Sequence, residues 1–357
     1  MHDLPTPALL LDRPTMRANI GRMNAAVHRH ASVVLRPHLK TGKSVEVARA
    51  MTEGWPGAVT VSTLKEAEVF ADAGWRDILY AVGMVPAKLA QARALAAQGT
   101  TLTVVVDSVD AAEAVATAGL RALIEIDTDG ARAGMKPEDA GTLSAVAAAL
   151  GGALAGVMTH CGGSYAAKRP DELPGYAEQE RAGAVRAAEV LRAAGFPVET
   201  VSVGSTPTAL FAEQLDGVTE VRAGVYVFQD LVMAGLGVCL VDHIALSVLA
   251  SVIGHQPDRG RLLVDAGWMA LSRDLGRGDQ GYGQVAGAPD LIVVAANQEH
   301  GIVAHRRGHP LDPSHWPIGA RLRILPNHAC ATAAQHDRYH VLDGESVTAE
   351  WSRFGGW

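Results

Sequence analysis

Eight short apolar, β-branched runs recur along the first two thirds of the chain: Ser32–Arg36, Ala58–Val61, Asp77–Tyr80, Leu102–Val106, Leu123–Ile126, Leu154–Met158, Thr200–Val203 and Thr219–Val221. Between them lie Ala-, Glu- and Arg-rich stretches with helical periodicity, among them Leu64–Ala73, Pro86–Gln98, Ala111–Ala118, Pro137–Leu150 and Tyr176–Ala194, several opened by Ser, Thr or Pro. Strand and helix alternating eight times predict an α/β fold, a closed parallel (β/α)8 barrel, with an open doubly wound sheet as the competing arrangement.

Beyond about Gly237 the texture changes. Ile244–Ile253, Arg261–Asp265, Leu291–Ala295, Arg321–Leu325 and Tyr339–Leu342 read as strands separated by Gly-, Pro- and Asp-rich turns, so a smaller, mainly β domain follows the barrel. A further strand is expected at Thr6–Asp12, before a helix whose first turn carries Pro14. The expected division is a barrel at 14–236 and a β domain made of 1–13 plus 237–357. A chain of 357 residues, 48% hydrophobic, is long enough for two cores.

A net charge of −7 with no long run of one sign argues against nucleic acid or an anionic membrane as the partner and for a small molecule. Cys161, Cys239 and Cys330 are too few and too scattered for a disulfide framework, which suits a reducing compartment. The N-terminus Met1-His2-Asp3-Leu4-Pro5 has no leader pattern and no run approaches a membrane span, so a cytoplasmic location is expected.

In a barrel, the chemistry sits where strands end. The first run delivers His38 and Lys40 on a proline-stiffened turn, where desolvation can make an amine nucleophilic, as a Schiff-base lysine requires; the bland alternative is a solvated surface charge. The fifth delivers Arg132 in a Gly-flanked loop, either solvated or reaching a cofactor's phenolic oxygen. The sixth delivers His160, either a hydrogen-bonded core histidine or a ring stacked on a flat cofactor. The seventh gives Gly204-Ser205-Thr206, an ordinary helix start or a phosphate cradle that Gly224 after the eighth could complete. A lysine and a phosphate site at one mouth suggest a phosphorylated aldehyde cofactor. In Asn327-His328-Ala329-Cys330, residues two apart on a strand would converge on a soft or borderline cation such as Zn²⁺, although two ligands are half a site. His336 and His340 read as bystanders.

Pro37-His38-Leu39-Lys40-Thr41, Thr60-Val61-Ser62-Thr63-Leu64-Lys65-Glu66-Ala67-Glu68, Asp77-Ile78-Leu79-Tyr80-Ala81, Gly204-Ser205-Thr206-Pro207-Thr208, Gln298-Glu299-His300-Gly301 and Pro326-Asn327-His328-Ala329-Cys330 together resemble the D-serine dehydratase and D-threonine aldolase family of pyridoxal-phosphate enzymes, of the alanine-racemase type of fold. The resemblance spans almost the whole chain. It implies a homodimer, Lys40 as the Schiff-base lysine, and His328 with Cys330 as metal ligands. It further implies Tyr165 as a cofactor- or substrate-contacting residue, and Ser205, Thr206, Gly224 and Tyr226 at the phosphate end. His-x-Cys and a tyrosine at 165 resemble the dehydratases, whereas the aldolases tend to carry His-x-Asp and a histidine. The expected reaction is therefore a pyridoxal-phosphate- and Zn²⁺-dependent elimination on a D-β-hydroxy-α-amino acid, most simply D-serine, giving a 2-oxo acid and ammonia. Retro-aldol cleavage to glycine and an aldehyde is the alternative, followed by a racemase and a non-catalytic cofactor carrier. Another divalent metal could replace zinc.

Overall fold

The computed structural model describes residues 3–54 and 57–357. Its strands are β1 Ala8–Asp12, β2 Val34–Pro37, β3 Val59–Val61, β4 Asp77–Gly83, β5 Thr101–Val106, β6 Arg121–Ile126, β7 Leu154–Thr159, β8 Thr200–Val203, β9 Glu220–Ala223, β10 Leu246–Gln256, β11 Arg261–Val264, β12 Gln284–Val285, β13 Leu291–Ala296, β14 Gly301–His305, β15 Arg321–Leu325, β16 Arg338–Asp343 and β17 Ser346–Ser352. The chain divides into two compact units: residues up to Ile20 with Val225–Gly355, and Gly21–Gly224 with the last two residues.

The second of these is the parallel barrel. Its strands run in the order β2-β9-β8-β7-β6-β5-β4-β3, each with a helical segment after it. Parallel strands covered on both faces need apolar residues on both, and β7 is buried at all six positions. Leu79, Val105, Leu123, Ala155 and Met158 pack together across four neighbouring strands. The helices start where side chains cap them: Thr63 Oγ1 accepts the Glu66 N–H at 3.0 Å, and Asp139 Oδ1 accepts the Thr142 N–H at 3.0 Å. Between β2 and β3 the ring closes just past the strand, through a parallel bridge of His38 with Thr60 and a 2.8 Å bond from the Leu39 N–H to the Thr60 carbonyl. The seam of the barrel is thus the backbone immediately before Lys40.

In the other unit, β11-β14-β13-β12-β15-β10 form an antiparallel barrel closed by pairing of β10 with β11, and β1, β16 and β17 extend the same sheet. β1 pairs antiparallel with β10 (Ala8 opposite Leu249) and parallel with β16 (Leu10 opposite His340). Three strands here, β12, β14 and β17, are not apparent in the sequence: the first is two residues long, and β17 alternates exposed and half-buried positions on a sheet edge. Among the described residues no helix is long and apolar enough to cross a membrane.

Candidate active site

Lys40 sits on the turn after β2, held from two directions by the His38 N–H on the Ala223 carbonyl of β9 (2.7 Å) and the Leu39 N–H on Thr60. Gly42 belongs to the same turn because a Cβ there would lie 2.8 Å from Val47 Cγ1. Lys43, the next cation along, is committed elsewhere: its Nζ is 3.1 Å from Glu66, a fully buried carboxylate that also accepts from the Ser62 N–H and hydroxyl.

Two imidazoles that feel the Lys40 charge, His38 and His160, are kept neutral. His160, at the end of β7, has its pKa lowered to about 4, by burial first, against which the Gly204 carbonyl acts and to which the charges of Arg132, Lys40 and Arg222 add. Its Nδ1 lies 2.9 Å from Gly204 O; a carbonyl only accepts, so Nδ1 carries the proton and Nε2 a lone pair. His38 is pushed well below its usual range by burial, then by Lys40 and Arg222. Its Nδ1 is buried without a hydrogen-bond partner among the described residues.

From the exposed Asp77 a chain of polar side chains runs inward to the buried Arg222. Arg36 pairs with Asp77 (2.9 Å) and Glu220 (2.7 Å); Glu220 accepts from Ser202 Oγ (2.6 Å); Ser202 in turn accepts from Arg222, which also donates to the Thr159 carbonyl at 2.5 Å. Arg222 is 3% exposed, and burial lowers its pKa while Glu220 and Glu180 hold its charge. Glu125 on β6, raised by burial and then by Asp107, also feels Arg222 and Arg132. Nothing in the sequence marks Glu125, which reads there as one more alternating strand residue.

Arg132 lies on an exposed loop that two aspartates organise. Asp127 accepts from Gly130 N (2.6 Å) and Lys136 Nζ (2.6 Å), and Asp129 accepts from Ala131 N and, at 2.7 Å, from Gly163 N. The last bond ties the Arg132 loop to the turn Gly162–Ala166, whose Tyr165 ring stands 6.2 Å from His160 at 46°. In the same turn the Ser164 hydroxyl is 3.2 Å from that of Ser205. Ser205 caps the helix Thr206–Phe211: its Oγ accepts the Thr208 N–H, and its N–H donates to Thr208 Oγ1 at 2.9 Å. That commits the Ser205 hydroxyl to the fold, and Pro207 has no N–H to offer. Gly204 must be glycine, because at φ +132° a Cβ would sit 2.2 Å from Arg222 O. Gly224 likewise meets His38 O and Thr41 Oγ1, each 2.9 Å from where its Cβ would be.

Lys40, Arg132, His160, Tyr165, Ser205, Thr206 and Gly224 therefore belong to one unit and to consecutive strand ends of it. Tyr226 belongs to the other unit, in the turn Val225–Val227, fully buried, its hydroxyl pKa raised by that burial. A neutral imidazole pair beside an amine, one of them with an orphaned buried nitrogen, fits a flat heteroaromatic aldehyde condensed with Lys40. Cys161 is not part of this chemistry: burial, then Glu180 and Asp129, push its thiol pKa far up.

In the β unit, His328 and Cys330 do not share a strand, as the sequence suggests. β15 ends at Leu325, and the carbonyls of Pro326 and Asn327 turn away to accept the Leu231 and Val232 N–H groups. His328, at φ −136°, becomes the N-cap of the helix Ala329–Ala333, with Cys330 in its first turn. The two still meet: the His328 pKa is raised to about 9, first by a hydrogen bond with Cys330, with Asp274 and Asp230 adding to it against burial. His328 Nδ1 lies 2.6 Å from Asp274 Oδ2. Buried Asp230 accepts from Ala329 N (3.0 Å) and Met233 N (2.9 Å), capping both short helices at once. Among the described residues no group of three or more His, Cys, Asp or Glu is placed to hold a metal ion. An imidazole and a thiol on one point fit a borderline cation whose other positions go to water or substrate. Asp274 carries no sequence signal, lying 54 residues away.

Residues 11–231 match the alanine racemase N-terminal domain model, and 245–342 match the serine dehydratase domain model. The chain is 51% identical to the D-threo-3-hydroxyaspartate dehydratase of Delftia sp. (strain HT23), over 99% of this chain and 98% of that one. It is 31% identical to the D-serine dehydratase of Dictyostelium discoideum (97% and 95% covered) and 31% identical to a D-threonine aldolase of Arthrobacter sp. (97% and 91%). The solved structure of the Delftia enzyme superposes with a TM-score of 0.97, covering 100% of this chain and 99% of that one, and a cysteine-to-alanine variant of it is known in a metal-free form. An alanine racemase of Clostridium difficile, 13% identical with a TM-score of 0.70 over 98% and 99% of the two chains, shares the fold.

Proposed function

The chain belongs to the pyridoxal-phosphate-dependent dehydratases that join an alanine racemase-type N-terminal domain to a serine dehydratase domain, and on that premise we propose that it eliminates water from D-β-hydroxy-α-amino acids, giving a 2-oxo acid and ammonia. Pyridoxal phosphate supplies the electron sink for loss of the α-proton, and a divalent cation, Zn²⁺ by the softness of its ligands, supplies Lewis-acid assistance to the β-hydroxyl. Lys40 holds the cofactor and, once released, accepts the α-proton at Nζ. His160, protonated at Nδ1 and neutral overall, would offer the cofactor ring an uncharged imidazole. Arg132 would supply a cation for the ring's phenolic oxygen, with Tyr165 standing beside His160. Backbone groups at Ser205, Thr206 and Gly224 serve the phosphate end. His328 and Cys330 hold the cation. The enzyme works as a homodimer.

The convergence of His328 and Cys330 carries this reading, because leaving-group assistance at Cβ distinguishes an elimination from a simple racemisation. The 51% identity to a D-threo-3-hydroxyaspartate dehydratase makes a β-carboxylate at Cβ a candidate beside D-serine itself. The test is product analysis on D-serine, D-threonine and D-threo-3-hydroxyaspartate, before and after chelation. Oxo acid and ammonia, lost on chelation, are expected. Glycine and an aldehyde as the main products would replace dehydratase by aldolase, the reading that the D-threonine aldolase relative favours.

A further inference from the structure

His328 Nδ1 and Asp274 Oδ2 are 2.6 Å apart, and the reason they meet lies in a third residue. Asn327, 1% exposed, donates both protons of its Nδ2 group to backbone carbonyls of one loop, Asp274 O at 2.9 Å and Gly281 O at 2.8 Å. The loop is drawn tight between them: Gly276 N–H bonds Gly281 O at 2.8 Å, and a Cβ on Gly276 would lie 2.6 Å from Asn327 Oδ1. The Asp274 N–H is held by Ser272 Oγ at 3.2 Å. The neighbouring cation, Arg273, is turned over the Trp268 ring at 5.3 Å. Among the described residues Asp274 forms its ion pair with His328 and none with a lysine or arginine.

Distance decides what Asp274 does there. Two donors on one tetrahedral zinc, each about 2.0–2.2 Å from it, are about 3.4 Å apart. Atoms at 2.6 Å share a proton instead, so Asp274 stands behind the imidazole and not beside it in a ligand set. An ionised carboxylate only accepts, which keeps a proton on Nδ1, so a cation binds at Nε2 by displacing the proton there.

We propose that Asp274 is a positioning residue that sets the tautomer and aim of His328, and through it the affinity of the His328–Cys330 pair for a divalent cation. This rests on the reading of those two residues as metal ligands. Asn327, one residue before the histidine, is the clamp that delivers the carboxylate.

The experiment uses the full-length, pyridoxal-phosphate-loaded protein stripped of metal, with Zn²⁺ affinity read by competition against a chromophoric chelator and Co²⁺ loading read by the thiolate-to-cobalt absorption band. Asp274→Ala is expected to bind Zn²⁺ about 10–100-fold more weakly while keeping the thiolate band at saturating Co²⁺. Asp274→Asn, whose carbonyl can still accept a hydrogen bond, should fall between it and the parent, and Cys330→Ser should lose the band. Asp274→Ala binding as tightly as the parent, while Cys330→Ser loses the band, overturns the role given to Asp274 and leaves the ligands standing. No thiolate band in the parent protein overturns the ligand reading itself. A fall in Zn²⁺ affinity matched by a lowered melting temperature of the metal-free Asp274→Ala protein would make the residue merely structural, and overturn the proposal too; an unchanged melting temperature is expected, since the side chain is about half exposed and its backbone keeps its bonds.

Discussion

In the barrel unit the groups around Lys40 hang on strand ends that the backbone fixes from two sides, whereas in the β unit His328 and Cys330 hang on a five-residue helix. The barrel mouth is set by closure of the sheet itself: the bonds that seal β2 to β3 and β9 are the ones that place the lysine. The corner at His328 has no such ladder. It depends on two buried polar side chains, Asp230 and Asn327, each bridging segments far apart in the chain. A site made by ladder geometry tolerates change at its side chains; a site made by a few side-chain clamps does not. The same contrast separates the electrostatics of the two sites, since burial lowers the pKa of His38 and His160 while Cys330 and Asp274 raise that of His328.

The largest effect should come from Lys40→Ala. Activity is expected to fall by about 10³-fold or more, with loss of the Schiff-base absorbance and with the fold intact, because the ladder bonds run through the backbone of His38 and Leu39. Circular dichroism with an absorbance spectrum checks this, and a surviving coloured adduct would remove Lys40 from its role. Cys330→Ala comes next: about 10²–10³-fold loss of elimination, equal to the loss on chelating the parent enzyme, with the Schiff-base spectrum unchanged. A variant that loses the cofactor spectrum along with the metal would break the separation drawn between the two regions.

Gly204→Ala sharpens the other side. No side chain touches the reaction here, yet a Cβ at φ +132° would meet the Arg222 backbone at 2.2 Å, so the barrel should lose about 3 kcal/mol. Denaturant unfolding measures it. A loss under about 1 kcal/mol would mean that strand ends yield more readily than the ladder argument holds.

Particular residues show why one region was legible in the sequence and the other only in part. Runs such as Thr200–Val203 announce a strand by composition, their number announces a barrel, and strand ends then pick out His38, Lys40, His160 and Gly204 by position alone. Arg222 directly follows the run Thr219–Val221, but its burial follows from Ser202 and Glu220, which are neighbours only once the sheet has closed. In the β unit His328 and Cys330 were found by spacing, yet the local geometry was misread: a strand and a capped helical turn both bring residues two apart together, and Asp230, about a hundred residues earlier, decides between them. Asp274 could not be found at all, because its only signal is a carbonyl held by Asn327. Local pattern predicts elements, whereas polar clamps between distant loops leave no period in the sequence.

The smallest effect is a difference in pH dependence. His160 has a native pKa of about 4 against 6.5 when unperturbed. Between those values the unfolded chain binds a proton that the native mouth refuses, so stability must rise with pH across that window and fall as the solution is acidified through it. From pH 7 to pH 5 the expected loss from this residue is about 2 kcal/mol. His38, lowered by burial and by the same cations, adds to the slope with the same sign. His160→Asn removes the titrating ring while its amide can still donate to Gly204 O, so the variant should lose less stability than the parent on acidification, with the His38 part of the slope remaining. Parallel denaturant titrations of the two proteins at pH 5 and pH 7 read the difference directly. Identical pH dependence would mean that His160 is protonated as easily in the folded mouth as in water, and the contrast with His328 would fail at its first residue.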